Sequence, residues 1–477
     1  MNKATLNQKL QTLASYPQLN SETVAKFGEI LQQLDDWELL RLNPLIFAAR
    51  YDFPPQEIVD IFVYGAKIGL LDFSFQTICD CGVTEFSFTV LQELPEKDFY
   101  CSLCDKPVLA DLDDRVEVLF NINSSVKKLA INPYTDIATY LKYFHSPSIE
   151  LSPQILEFIN SGCKEFLVAS GTTHVLEFNA LPNCQYRFTS LGFHSLMYLK
   201  ISEKINPAPQ VFTIDLLPSG LPPLPIYANA GQIILHINNQ TSATVGLGLY
   251  LIDRAKQDEL NALYPPKIKP YLTAKILLNN QSFRTLFRTQ PESNNLRLNI
   301  RSLTILFTDL KGSTELYDRL GDTQAYSLVQ EHFRILTRVV QQEGGAIIKT
   351  IGDAIMATFA TPREGMQAAI AMMEGIEKFN HSIDQELNLG LKIGLHIGSA
   401  LVVNLDERLD YFGQNVNIAA RVQGLAKSGE IWITESVYQE ETIPALLEKQ
   451  GYQTTQHAVT LKGVEKTTTV FQCQSKN

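Results

Sequence analysis

Apolar positions in the first 75 residues recur at helical spacing. From Gln56 to Ile68 they fall at Ile58, Ile61, Phe62 and Ala66, one face of a helix that Gly69 closes. Asn43-Pro44 and Pro54-Pro55 punctuate the shorter amphipathic runs before it, and Leu70 to Phe75 then reads as a strand. Helix, tight turn, helix and strand suit a winged-helix-like module over residues 1–75. From 111 to 253 the pattern is β-rich: Val116–Phe120, Val211–Ile214 and Gln232–Ile237 are apolar strands parted by Pro-, Gly- and Asn-rich turns. Short, regularly spaced strands predict an all-β, sandwich-like domain of sensory or regulatory use. Helical character returns over 254–299, around Leu272 to Leu278, as a linker.

At about residue 300 strands and helices begin to alternate. Leu303 to Phe307 is a buried strand; a helix with Val329, Phe333, Leu336 and Val340 on one face ends at Gly344-Gly345. The strands Ala346–Thr350 and Ala354–Phe359 flank an Ile-Gly-Asp turn. Thr361, Pro362 and Glu364 form a capping box with proline at the first helical position. Leu391, Ile393, Leu395 and Ile397 alternate as a strand, a helix begins near Gly413, and Glu430 to Thr434 is a further strand. Residues 300–477 thus predict an α/β domain of ferredoxin-like type.

Composition changes this picture in three places. A chain of 477 residues, 45% hydrophobic and 19% charged, is a folded multidomain protein. No apolar run reaches the roughly 18 residues that span a bilayer, and the first residues lack a secretory apolar stretch. Cytoplasmic residence without membrane insertion is expected. A net charge of −11 argues against nucleic-acid partners, and residues 1–110 carry 8 cations against 15 anions where a phosphate-binding face needs a basic stripe. Four of the seven cysteines cluster as Cys79-x-Cys81 and Cys101-x-x-Cys104 within a zinc-ribbon-like segment, 76–110. One intervening residue in the first pair makes a tighter knuckle than a ribbon usually has. Structural Zn2+ is the expectation, with four reduced, unligated thiols the alternative.

The chemistry lies in three stretches: Phe307–Thr314, Lys349–Ala354 and Asp410–Arg421. Asp309 ends one strand and Asp353 occupies the turn between the next two. Alone, each reads as a capping or turn residue. Together at facing strand ends they offer hard oxygen ligands to two Mg2+ or Mn2+ ions. Leu310, Lys311, Gly312, Ser313 and Thr314 lead toward a helix at Glu315, where backbone amides can cradle phosphate. Asn417 and Arg421, four apart, share a helix face; the amide suits a ribose and the guanidinium a phosphorane. Lys349 and Asp410 supply a donor to a purine ring nitrogen and an acceptor for an exocyclic amine, as adenine requires. Lys462 is a weaker candidate for the terminal phosphate. Lys349 and Asp353 share one hairpin, yet one should meet the base and the other the phosphates. Two subunits packed head to tail about a twofold axis resolve this, so a homodimer with composite sites is expected.

These residues resemble the class III nucleotide cyclase family over roughly 300–475. The resemblance carries metal ligation onto Asp309 and Asp353, adenine reading onto Lys349 and Asp410, transition-state contacts onto Asn417 and Arg421, and phosphate binding onto Lys462. A guanylyl cyclase of this family would typically show Glu at 349 and Cys or a similar residue at 410. The resemblance therefore implies an adenylyl cyclase that converts ATP to cyclic AMP and pyrophosphate in intracellular signalling. The upstream region looks, more loosely, like a cysteine-containing regulatory region ahead of some bacterial cyclases, and its regulatory ligand or protein is unnamed. The rival readings are a guanylyl cyclase and a catalytically silent sensor or nucleic-acid-associated regulator.

Overall fold

The computed structural model describes residues 1–95, 98–287, 298–311, 318, 320–382, 389–405, 408–464 and 466–476. Four helices, Lys3–Ala14, Ser21–Gln33, Pro44–Tyr51 and Pro55–Lys67, open the chain. The side chains of Asn2, Asn20 and Asn43 start the first three by accepting from backbone N–H groups of the first turn. Their buried faces bring Phe27, Phe47 and Phe62 together, and Phe62 meets Phe120 edge-on with ring centroids 5.1 Å apart. Phe120 lies on the strand Val116–Ile122, which pairs with Leu71–Ile78, itself paired with Thr84–Phe88. Every residue from Val116 to Phe120 is buried, so this strand needs cover on both faces. The helical layer covers the face of Val116, Val118 and Phe120, while Ser146 and Ser148 donate to Glu117 on the other face, and the start of the β-rich stretch shares a core with residues 1–75. The cysteine segment is a separate hairpin, Asp98–Cys101 on Lys106–Leu109.

The β-rich region is a seven-stranded sheet. Its order is Gln210–Leu216, Ile226–Asn239, Ser195–Ile205, Gln185–Ser190, Val245–Leu251, Cys163–Val168, with Thr173–Ala180 also on Ile226–Asn239. That longest strand changes partners along its length. Ile226–Ala230 runs parallel to Ser195–Ile205, whereas Gly231–Asn239 pairs with Gln210–Leu216 and Thr173–Ala180. The change folds the sheet over itself, and Phe188, Leu199, Ile233, Leu235 and Leu247 fill the space enclosed. Three helices follow, Arg254–Leu263, Ala274–Leu278 and Gln281–Leu286.

The C-terminal domain runs strand Leu298–Lys311, helix Asp322–Gln342, strands Ala346–Ile351 and Ala354–Phe359, helix Pro362–Ser382, strand Gly390–Leu405. Numbering these four strands 1 to 4, their order is 2-3-1-4, all antiparallel, which is the ferredoxin-like arrangement. Ile431–Thr434, Thr468–Ser475 and Tyr452–Val459 extend the sheet beyond strand 4, and Arg408–Phe412 folds back on that strand's end. The capping box forms: Thr361 N donates to Glu364 Oε2 (3.0 Å) and Glu364 N to Thr361 Oγ1 (3.3 Å). Alternation along strand 1 serves two cores. Leu306 and Leu310 face the two long helices. Leu303, Ile305 and Phe307 face a core shared with Leu277, Phe283 and the N-terminal helices. Among the described residues no helix is long and apolar enough to cross a membrane.

Candidate active site

Strand register sets the two aspartates at one end of the sheet. Phe307 lies opposite Met356, and continuing that register brings Asp309 level with Ala354, the neighbour of Asp353. Thr308 Oγ1, accepting from Ile355 N at 3.1 Å, ties the strands at this point. Gly352 turns the hairpin at φ +64°, a left-handed conformation in which a side chain would be strained. The Oδ2 atom of Asp353 is buried without a hydrogen-bond partner among the described residues. Asp309 is held by Lys392, its cross-strand neighbour on Gly390–Leu405, through an ion pair. A buried carboxylate oxygen left unmatched, beside a second carboxylate at the same strand end, fits a divalent cation.

The base-reading candidates form a pair. Lys349 Nζ lies 2.6 Å from Asp410 Oδ2, and Tyr411 N donates to Asp410 Oδ1 at 2.7 Å. Beneath them the helix Gln281–Leu286 holds both strands, through Gln281 and Arg284. Arg284 donates to the carbonyls of Leu278 and Leu409 and lies over the Tyr411 ring, 5.5 Å from its centroid. Burial depresses the Arg284 pKa, and the Tyr411 and Asp410 charges act in the opposite direction. Ile347 N donates to Gln281 Oε1 at 2.7 Å and Thr358 Oγ1 to Asn279 Oδ1 at 2.6 Å. Lys275 Nζ joins Asp113 and the Ser302 carbonyl, each at 3.0 Å, so N-terminal layer, linker and catalytic strand meet at one cation.

Asn417 is exposed and Arg421 half-buried, one turn apart on the helix Gln414–Gln423. The helix lies so close to strand 4 that a Cβ on Gly398 would stand 2.4 Å from Asn415. His396 Nε2 is 3.0 Å from Asn415 Oδ1 and its Nδ1 2.9 Å from Thr434 Oγ1, which fixes the start of the helix. Arg421 Nη2 lies 3.7 Å from where a Cβ on Gly463 would stand, beside the exposed Lys462. Leu310 and Lys311 remain within strand 1, opposite Leu391 and Gly390, with Leu310 buried. Gly312, Ser313 and Thr314 lie outside the described residues. The sulfurs of Cys79, Cys81, Cys101 and Cys104 all come within 4.8 Å of one another.

Four residues at this site escape a reading of motifs: Lys392, His332, His396 and Arg284. Lys392 and His396 fall on the polar face of an alternating strand, which by itself reads as solvated; the register places Lys392 opposite Asp309. His332 is fully buried on Asp322–Gln342, and neither ring nitrogen has a hydrogen-bond partner among the described residues. Burial pushes its pKa down to about 4, the backbone and charge of Asp353 acting the other way. Arg284 has no sequence signal at all, because its contact crosses 125 residues.

Residues 298–474 match the family described as the adenylate and guanylate cyclase catalytic domain, and residues 6–285 match a family of unknown function, DUF5939. An adenylate cyclase of Anabaena cylindrica is 28% identical over 189 residues, 37% of this chain and 37% of that protein. The chain therefore spans well under half of that relative's length. Of solved structures, the adenylyl cyclase CyaB of P. aeruginosa is 22% identical with a TM-score of 0.33, covering 38% of this chain and 97% of that one. The guanylyl cyclase Cya2 is 21% identical with a TM-score of 0.33, covering 37% and 92%. The chain belongs to the DUF5939 family over its N-terminal part, and its C-terminal part is an adenylate and guanylate cyclase catalytic domain.

Proposed function

We infer that the protein is an adenylyl cyclase, converting ATP to 3′,5′-cyclic AMP and pyrophosphate, with composite sites in a homodimer. The observation that carries the choice of base is the Lys349–Asp410 pair at 2.6 Å. The ammonium donates to a purine ring nitrogen, and the carboxylate, already oriented by Tyr411 N, accepts from the 6-amino group. Guanine presents an acceptor where adenine presents that amine, so Asp410 opposes it.

The reaction forms a bond from the ribose 3′ oxygen to the α-phosphorus and breaks the bond from that phosphorus to the bridging oxygen of pyrophosphate. The 3′ hydroxyl proton is released. Asp309 and Asp353 would hold Mg2+ or Mn2+, two per site, which when bound neutralises phosphate charge and acidifies the attacking hydroxyl. Asn417 orients the ribose, and Arg421, on the helix whose start the His396–Asn415 contact fixes, stabilises charge on the five-coordinate phosphorus. Lys462, beside Arg421, neutralises the terminal phosphate. Lys349 and Asp353 belong to one strand and its turn, so base reading and metal binding in one chain serve different nucleotides and the second protomer completes each site. The linker helix Gln281–Leu286, which holds the strands of Lys349 and Asp410, is suited to pass an N-terminal signal to the base pocket. Incubating the purified chain with ATP or GTP and Mg2+ or Mn2+, with chromatography of the products, tests this reading. Cyclic AMP should predominate; faster GTP turnover defeats the base assignment.

A further inference from the structure

The cysteine cluster has the dimensions of a metal shell. Cys79 Sγ lies 3.7 Å from Cys104 Sγ, and Cys81 Sγ lies 3.8 Å from Cys101 Sγ. A disulfide would close such a pair to about 2.0 Å. Four thiolates at about 2.3 Å from a central Zn2+ stand about 3.8 Å apart, the edge of that tetrahedron. The supporting loops are built for the purpose. Gly82 N donates to the Cys79 carbonyl at 2.9 Å and Asp105 N to the Cys101 carbonyl at 2.8 Å, two tight knuckles. Cys104 N points at Cys101 Sγ, 3.4 Å away, a backbone donor to a thiolate.

Charge supplies the second observation. Zn2+ with four thiolates carries a net −2, which is costly next to a protein interior. Arg187, from the strand Gln185–Ser190 of the β-rich region, is only 9% exposed. Its Nε is buried without a hydrogen-bond partner among the described residues, an expensive arrangement for a guanidinium in neutral surroundings. Burial pushes its pKa down, while the charges of Cys104, Asp105, Tyr250 and Cys101 act in the opposite direction. The same strand reaches the hairpin through Thr189 Oγ1, 3.5 Å from the Ser102 carbonyl, and Arg254 pairs with Asp105 at 3.5 Å.

We propose that Cys79, Cys81, Cys101 and Cys104 hold one structural Zn2+ and that Arg187 is its countercharge, so that the metal fastens the N-terminal layer to the β-rich domain. Four thiolates close the coordination sphere, which makes the site structural. The proposal is independent of the cyclase reading, because none of these residues belongs to that site.

Full-length protein purified without added metal should carry about one zinc per chain by elemental analysis. Co2+ in its place should give the ligand-field bands of a tetrahedral thiolate complex. A chain free of zinc, with four alkylatable thiols or two disulfides, overturns the proposal. Arg187→Met should weaken zinc retention against a chelator about 10–100-fold while far-ultraviolet circular dichroism stays unchanged. Arg187→Lys, which keeps the charge, should recover affinity to within a few-fold of the parent. Unchanged affinity in Arg187→Met, or equal weakening by both substitutions, overturns the countercharge role.

Discussion

His332 makes the catalytic domain acid-sensitive in a way that can be worked through in advance. Its ring is fully buried beside the Asp353 turn, and burial lowers its pKa from 6.5 to about 4. A histidine with a depressed folded value binds its proton more readily when unfolded. Its contribution to stability is therefore complete above pH 6.5 and is lost as pH falls toward 4. The difference in proton binding costs about 2 kcal/mol on going from pH 7.5 to 5, and about 3 kcal/mol by pH 4. For a unit of this size, about 2 kcal/mol lowers the melting temperature by roughly 4–8 °C. His332→Leu removes the titration, and it also removes two buried nitrogens that have no hydrogen-bond partner among the described residues. Thermal unfolding of parent and variant at pH 7.5 and 5 isolates the effect, because every other titrating group is common to both. The parent should lose roughly 4–8 °C more than the variant over that interval. Equal losses would mean that His332 is not held neutral, and the reasoning from burial fails.

Two other perturbations address the base pocket. Lys349→Glu combined with Asp410→Cys should invert the preference for ATP over GTP, measured as a ratio of kcat/KM; an unchanged ratio removes these residues from base reading. Arg284→Met should loosen the strand under Asp410 and raise KM for ATP by roughly tenfold with a smaller change in kcat, whereas a variant with parental kinetics would show that the linker's grip is passive.

Much of the catalytic domain was legible before the structure. Its alternating strands, the Thr361–Glu364 capping box and the glycine of the Asp353 turn each obey local rules that the fold cannot override cheaply. The N-terminal region was less so. The strand Val116–Ile122 belongs to the same sheet as Leu71–Ile78, but 37 residues of cysteine hairpin and loop separate them, and no periodicity reports a pairing across that interval. The four cysteines were visible as a cluster, while Arg187, on a strand of the β-rich sheet, carried no signal beyond being one arginine in a short strand of mixed polarity. Lys392 was hidden for the opposite reason: a lysine on a strand is ordinarily a solvated residue, and only the register with Asp309 gives it a partner.

The central claim, one active site made from two chains, is tested most directly by mixing Asp309→Ala with Arg421→Ala. Each variant alone should be inactive, the first lacking a metal ligand and the second the phosphorane contact. After subunit exchange, random pairing makes half of the dimers mixed, each with one intact site, so cyclic AMP formation should return to about a quarter of the parental rate. Proven exchange without any recovery of activity would contradict a composite site.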